Sequence, residues 1–248
     1  MATHCFARSS RIANRALLTI ATLLLPLARG VTQPAPADDR RASVAVADFT
    51  IAALRDAAEW GSLGKGMPQI LMTELGANQD LRIVERERIQ TVLDELKLSR
   101  SDLADPATAA RVGTLIGARY IVTGSANIDR RNRIRLDVRG IRTETSVQEY
   151  ADNLMGDADD VLELIARIGE KMSRNFDPTP FDAPSGRSSG SGRPTKEGLR
   201  IAMLIGNAID LQDRRDVDGA TKLVRQALAI APDNPSAKAL LASLQQAK

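Results

Sequence analysis

The sequence is poor in the side chains that most enzymes and ligand sites use. Among its 248 residues are one cysteine (Cys5), one histidine (His4), one tryptophan (Trp60) and only 3% aromatic residues. So few aromatic residues argue against base-stacking surfaces and sugar-binding clefts. We expect the single tryptophan to be a buried anchor and not a platform for a ligand.

The first thirty residues have the pattern of a secretory signal peptide. Three arginines within residues 8–15 precede an apolar run from Ala16 to Leu27, and Ala28-Arg29-Gly30 offers small residues for cleavage. The run is short for a membrane span, which favours a cleaved signal peptide. An uncleaved membrane anchor is the alternative. We expect a mature protein that begins near Val31 and is located in the periplasm, with at most peripheral membrane association.

Cleavage would change both the charge and the chemistry of the chain. Residues 1–30 hold four arginines and no acid, which leaves 30 basic and 31 acidic residues, so the basic pI does not indicate a nucleic-acid partner. His4 and Cys5 are lost with this segment, and Cys5 lies before the apolar run, so we expect no lipid anchor. Without them we expect no catalytic residues, no cofactor and no metal site, and we predict that the protein is not an enzyme.

Composition divides the remaining chain into four parts. Residues 31–41 read as a disordered tether rich in Pro, Ala and Asp. Residues 42–176 alternate strand and helix patterns, residues 177–195 are a Pro/Gly/Ser-rich flexible linker, and residues 196–248 are helical. The predicted fold class is an α/β (α+β) sandwich with a mixed sheet, followed by a small all-α segment.

A strand that turns at once into a helix is the most distinctive unit of the α/β part. Leu81–Val84 is the strand, and helical spacing follows at Ile89, Val92, Leu93 and Leu96. We expect four apolar side chains of this unit to be buried together between sheet and helix: Ile83, Val84, Leu93 and Leu96.

Four further patterns fill out the α/β part. A strand over residues 43–49 and a helix over residues 63–77 come first, and Asp105-Pro106 then starts a helix that Gly117 ends. From residue 128 to residue 153 the sequence predicts a β-meander. In its first hairpin Ile134, Leu136 and Val138 alternate with polar residues and face inward.

The meander also carries a basic stripe, defined as Arg131, Arg133, Arg135 and Arg139. It is a candidate interaction surface for an anionic partner. The alternative is an ordinary solvated sheet face with acids on the neighbouring strand, since half-exposed antiparallel sheets normally look like this.

Gly61–Gly66 follows a strand pattern and opens a helix, a place where phosphate binds in some proteins. Its glycine spacing does not match a P-loop, and Lys65 is followed by Gly66 and not by Ser or Thr. A nucleotide- or small-ligand-binding protein, with acids such as Asp48 and Glu74 assisting, is therefore the alternative function class.

The C-terminal part predicts three helices, over residues 198–210, 216–231 and 236–246. Gly219-Ala220, Ala227-Leu228, Pro232 and Asn234-Pro235 resemble the second helix of a tetratricopeptide repeat and the turn that follows it. A plain helical hairpin is the other interpretation. Because of the linker, we expect these helices to move independently of the α/β domain and to bind a partner.

The α/β part resembles the CsgG family of curli assembly and transport components. Leu81-Arg82-Ile83-Val84-Glu85-Arg86 and Gly117-Ala118-Arg119-Tyr120-Ile121-Val122-Thr123-Gly124-Ser125 carry the resemblance over residues 42–174, and modules of the TolB N-terminal, FlgO and LpoB types share the pattern. It implies a periplasmic or outer-membrane-associated, non-enzymatic accessory protein, possible homo-oligomers, and an envelope or secreted protein as partner. Secretion channels of this family carry an acylated Cys and lipid-facing hairpins. The long hairpin here is rich in arginine, so we expect no pore.

Overall fold

The computed structural model describes residues 41–54, 57–176 and 197–246. The strands are β1 (Ala42–Val46), β2 (Thr50–Ala53), β3 (Leu81–Ile83), β4 (Tyr120–Ile128), β5 (Arg133–Arg142) and β6 (Val147–Asp157). The helices are α1 (Ala57–Trp60), α2 (Leu63–Gly76), α3 (Arg86–Leu96), α4 (Pro106–Ile116), α5 (Val161–Phe176), α6 (Glu197–Asp213), α7 (Val217–Ile230) and α8 (Pro235–Gln246). Short 3-10 helices lie at Arg100–Ala104 and Ala158–Asp160.

The six described strands form one mixed sheet, which confirms the predicted fold class. Five of them follow the order β3-β1-β4-β5-β6, and β2 joins the sheet by pairing with β4. β1 pairs in parallel with β3 and β4, and β2 pairs in parallel with a later stretch of β4. β4, β5 and β6 are antiparallel to one another. The predicted meander is therefore present, and its two turns match the polar segments that the sequence places there.

The two faces of the sheet have separate apolar cores because side chains alternate along each strand. One core contains Val44, Val46 and the inward residues of β5, packed with α2, α5 and the three C-terminal helices. The other contains Ala45, Ala47, Ile121 and Ile141, packed with residues of α3 and α4. Buried Trp60 belongs to the first core, as expected of an anchor.

The strand–helix unit at residues 81–96 is confirmed, but one of its predicted core residues is wrong. Val84 and Leu93 are buried in the α3–α4 core, and partly buried Leu96 packs against it. Ile83 instead packs on the opposite face, against the core of α2 and α5. Adjacent residues of a strand point to opposite faces, so Ile83 and Val84 do not share one.

The predicted ends of α4 are also confirmed. The carboxylate of Asp105 accepts a hydrogen bond of 2.9 Å from the backbone N–H of Thr108, with Pro106 at the first helical position. Gly117 ends the helix at φ 71°, where a residue without Cβ is favoured. Residues 50–53 form β2 and residues 57–60 form α1, two short elements that the sequence patterns did not predict.

The three C-terminal helices are present but do not form an independently moving module. Their apolar residues, including Ile205, Ala208 and Val224, belong to the same core as Met67 of α2 and Ile165 of α5. The described elements from β1 to α8 lie in one compact unit. The expectation of independent motion is therefore wrong, because helices with this much apolar surface are stabilised by burying it against the α/β part.

Some predictions concern residues outside those described. They are the signal peptide, nearly all of the 31–41 tether and the 177–195 linker. In the described part of the chain, no helix is both long and apolar enough to cross a membrane.

Candidate functional site

The outer half of one face of the sheet is the first candidate for a functional site. α3 and α4 pack on the face that carries Ile121 and Ile141, but further along β5 the residues of the same face are exposed or half-exposed. We call this region the open face and define it by these residues of β4, β5 and β6: Asn127, Arg133, Arg135, Asp137, Arg139, Ala151, Asn153, Met155 and Asp157.

Three arginines of the predicted basic stripe lie on this open face, and Arg131 lies in the preceding turn. Arg135 donates hydrogen bonds to Asp137, with Nη2 2.9 Å from Oδ1, and Arg133 lies 3.8 Å from a carboxylate oxygen of Asp157. Arg139 makes no ion pair within the described residues. Acids on the same sheet thus partly neutralise the stripe, whereas the side chains of Arg131 and Arg139 make no ion pair in the part of the chain that the structure describes.

An apolar groove crosses one end of the open face. Its cavity volume is about 360 Å³, and its lining includes Ala52, Leu54, Ile128, Ile134 and Met155 beside the stems of two arginines. Leu54 is 70% exposed and Met155 is 62% exposed, unusually high values for large apolar side chains. Such patches on proteins mark interaction sites more often than isolated exposed residues do.

A buried ionic cluster at the carboxyl ends of β1 and β3 is the second candidate. Arg86, the first residue of α3, donates to both oxygens of Asp48 at 2.8 Å and 3.0 Å. It also donates to both oxygens of Asp213, at the end of α6, at 2.9 Å and 3.1 Å. Lys65 of α2 pairs with Asp213 at 2.8 Å and with Asp210.

The electrostatics of this cluster favour the charged forms of its members. Burial by itself would lower the pKa of Arg86, but the hydrogen bonds to Asp48 and Asp213 outweigh it and the pKa is raised. Burial would raise the pKa of Asp213, and the bonds from Arg86 and Lys65 overcome that effect and lower it. All three nitrogens of the guanidinium donate to these two carboxylates, so the cluster is a structural tie between elements of the fold.

The Gly61–Gly66 segment, the alternative nucleotide site, is part of a helix crossing. A side chain at Gly66 would collide with the backbone of Ala202 in α6, and one at Gly206 would collide with the backbone of Ser62. Lys65, the residue a phosphate would use, is held by α6 carboxylates. Gly66 therefore serves close helix packing, and the engagement of Lys65 by α6 argues against a phosphate at this position.

α2 contacts both α6 and α8, which also contact each other. A helix of the same chain thus occupies part of the surface of the C-terminal helices, which we expected to bind a partner. Within the described ranges the open face has no such cover.

Sequence reasoning noticed Asp48 and Lys65, but it missed Arg86 as the partner of Asp48 and missed Asp213, which pairs with both Arg86 and Lys65. Asp48 and Arg86 are 38 residues apart, and Arg86 and Asp213 are 127 residues apart. One signal was available, since charged residues within a few positions of the carboxyl ends of two parallel strands lie near the same edge of the sheet. No local signal identified Asp213.

Together the fold and the two sites define a mixed α/β domain whose exposed features suit binding. A family model, described as curli production assembly/transport component CsgG, matches residues 27–128. The matched segment spans about two fifths of the chain and ends with β4. This match confirms the resemblance found in the sequence.

Three solved structures illustrate what the chain is similar to. The C-terminal domain of LpoB from Escherichia coli is 17% identical, with 50% of this chain and 87% of that chain covered and a TM-score of 0.35. The PelC dodecamer from Paraburkholderia phytofirmans is 17% identical, with 54% and 88% covered and a TM-score of 0.35. Lipoprotein GNA1162 from Neisseria meningitidis is 7% identical, with 55% and 99% covered and a TM-score of 0.40. Values this low do not transfer a function, and no curated protein matches the sequence.

Proposed function

We propose that this protein is a non-enzymatic accessory protein of the cell envelope that binds a protein partner through its open face and forms no pore itself. The family segment supports a role in assembly or transport, and the signal-peptide pattern supports a periplasmic location. We further propose that the partner is an envelope or secreted protein, that the protein can form homo-oligomers, and that it carries no lipid anchor.

The observation that carries the proposal is the unequal covering of the sheet. One face is packed by α2 and α5, and the C-terminal helices add to that same core. On the other face α3 and α4 pack over only part of the strands. The uncovered part combines the apolar groove with Arg139, a pairing of apolar and charged surface typical of protein interfaces.

A position-specific crosslink tests this assignment. A photoreactive residue is placed at Met155 on the open face of the full chain, and its matched control is placed at exposed Gln226 on α7. In the native envelope we expect a protein adduct from position 155 and none from position 226. An adduct from α7 alone would move the binding surface to the C-terminal helices, and no adduct from either position would contradict the proposal.

The same preparation tests the location. N-terminal sequencing of the purified protein should find a start near Val31, as the cleavage pattern predicts. An intact Met1 would contradict export by a cleaved signal peptide.

A further inference from the structure

β6 is a long strand at the edge of the sheet. It has 11 residues, roughly twice the usual length of a strand, and β5 is its only partner in the described sheet. An unpaired strand edge offers a row of backbone N–H and C=O groups to another chain. Proteins usually protect such edges with charges or proline, but the middle of β6 shows only Ala151 and Asn153 on the open face.

The residue opposite Ala151 supplies an unbalanced charge. Ala151 faces Arg139 across the β5–β6 ladder, and Arg139 is exposed and makes no ion pair within the described residues. Alanine is too short to cover the arginine, whose side chain is longer than the spacing of about 4.8 Å between strands. A carboxylate on a strand added beyond β6 would therefore be within its reach.

The residue four positions later supplies an apolar contact. Met155 faces Arg135, whose guanidinium is hydrogen-bonded to Asp137, so the thioether is left 62% exposed beside the groove. Met155 and Ala151 lie on one face of β6, about 13 Å apart at the rise of a strand. An apolar side chain of an added strand would cover Met155.

We propose that β6 binds an extended segment of a partner protein as an additional antiparallel strand, with an apolar side chain over Met155 and an acidic one at Arg139. In the antiparallel direction the apolar residue comes first and the acidic residue follows four positions later. This direction continues the arrangement of β4, β5 and β6, and backbone hydrogen bonds to an edge strand are a recurrent mode of peptide recognition. The inference rests on the proposed function and names the chemistry of its partner.

A synthetic peptide tests the proposal directly. The probe is a capped, dye-labelled nonapeptide of threonine with Leu at its third position and Glu at its seventh, titrated against the full-length protein by fluorescence anisotropy. We expect saturable binding. A second peptide with Gln for Glu should bind about two- to five-fold more weakly, the effect of one exposed ion pair.

Variants of the protein then locate the contact. Arg139→Gln should remove the difference between the two peptides, whereas Arg131→Gln, which deletes the same charge in the neighbouring turn, should keep it. Circular dichroism of both variants confirms that they fold.

Methylation of the peptide backbone tests strand pairing. N-methyl groups along one edge of the extended probe should abolish binding, and those along the other edge should be tolerated, because only one edge faces β6. Tolerance of both patterns, an unchanged Glu preference in Arg139→Gln, or no binding at millimolar peptide would each overturn the proposal. If the crosslink from position 155 still appears in that case, the open face keeps its function and only strand addition fails.

Discussion

The guanidinium of Arg86 donates two hydrogen bonds to the carboxylate of Asp213, 127 residues further along the chain. The same guanidinium holds Asp48, and the Arg86 and Asp48 side chains are 8% and 6% exposed. This contact joins the last turn of α6 to residues 27–128, the segment that the family model matches. The C-terminal helices therefore contribute to the stability of the whole compact unit.

Replacing Asp213 with alanine should destabilise the protein by about 1–3 kcal/mol, because buried Arg86 loses one of its two carboxylate partners. The measurement is the free energy of unfolding in urea at pH 7. Asp233→Ala is the matched control, since Asp233 pairs with Lys238 on the surface and its loss should change stability little. Equal effects of the two substitutions would mean that the cluster adds nothing beyond a surface ion pair.

The stabilising effect of Asp213 should depend on pH in a defined direction. Its pKa is lowered in the folded protein from a usual value of 3.8, so its contribution is present above that value and is lost as pH falls through the folded pKa. The difference in unfolding free energy between the wild type and Asp213→Asn should be constant above about pH 5 and shrink as the pH falls below about 4. A difference that grows on acidification would contradict the assignment.

Two glycine substitutions should have opposite outcomes in the same helix. Gly66→Ala places a methyl group against the backbone of α6 and should lower the melting temperature. Gly76→Ala meets nothing nearer than a side-chain carbon of Ile83 at 3.5 Å, so the higher helix propensity of alanine should leave stability unchanged or raise it. A stabilising Gly66→Ala would show that α2 and α6 are not in close contact in solution.

A chain that ends at Phe176 should fail to fold cooperatively, because it exposes the surface of α2 that α6 covers. We expect loss of a sharp thermal transition by circular dichroism and increased binding of an apolar dye. If the shortened protein instead keeps the melting temperature of the full chain, the helices are the independent module that the sequence suggested.

Local sequence patterns determined most of the secondary structure. Asp105-Pro106 and Gly117 predicted the ends of α4 because capping depends on neighbouring residues alone. Alternation at Ile134, Leu136 and Val138 predicted the buried side of β5 for the same reason. The strand–helix unit and the family pattern likewise lie within continuous stretches of chain.

Only the tertiary structure decided which surfaces are covered. The glycines of residues 61–66 have the same local pattern whether a phosphate or a helix lies against them, and the packing of Gly206 chose the helix. The linker composition suggested freedom for the last three helices, but their apolar faces pack in one core with α2, and the hydrogen bonds from Arg86 of α3 to Asp213 hold the end of α6. Such contacts join residues more than a hundred positions apart, and no periodicity or local propensity along the chain encodes them.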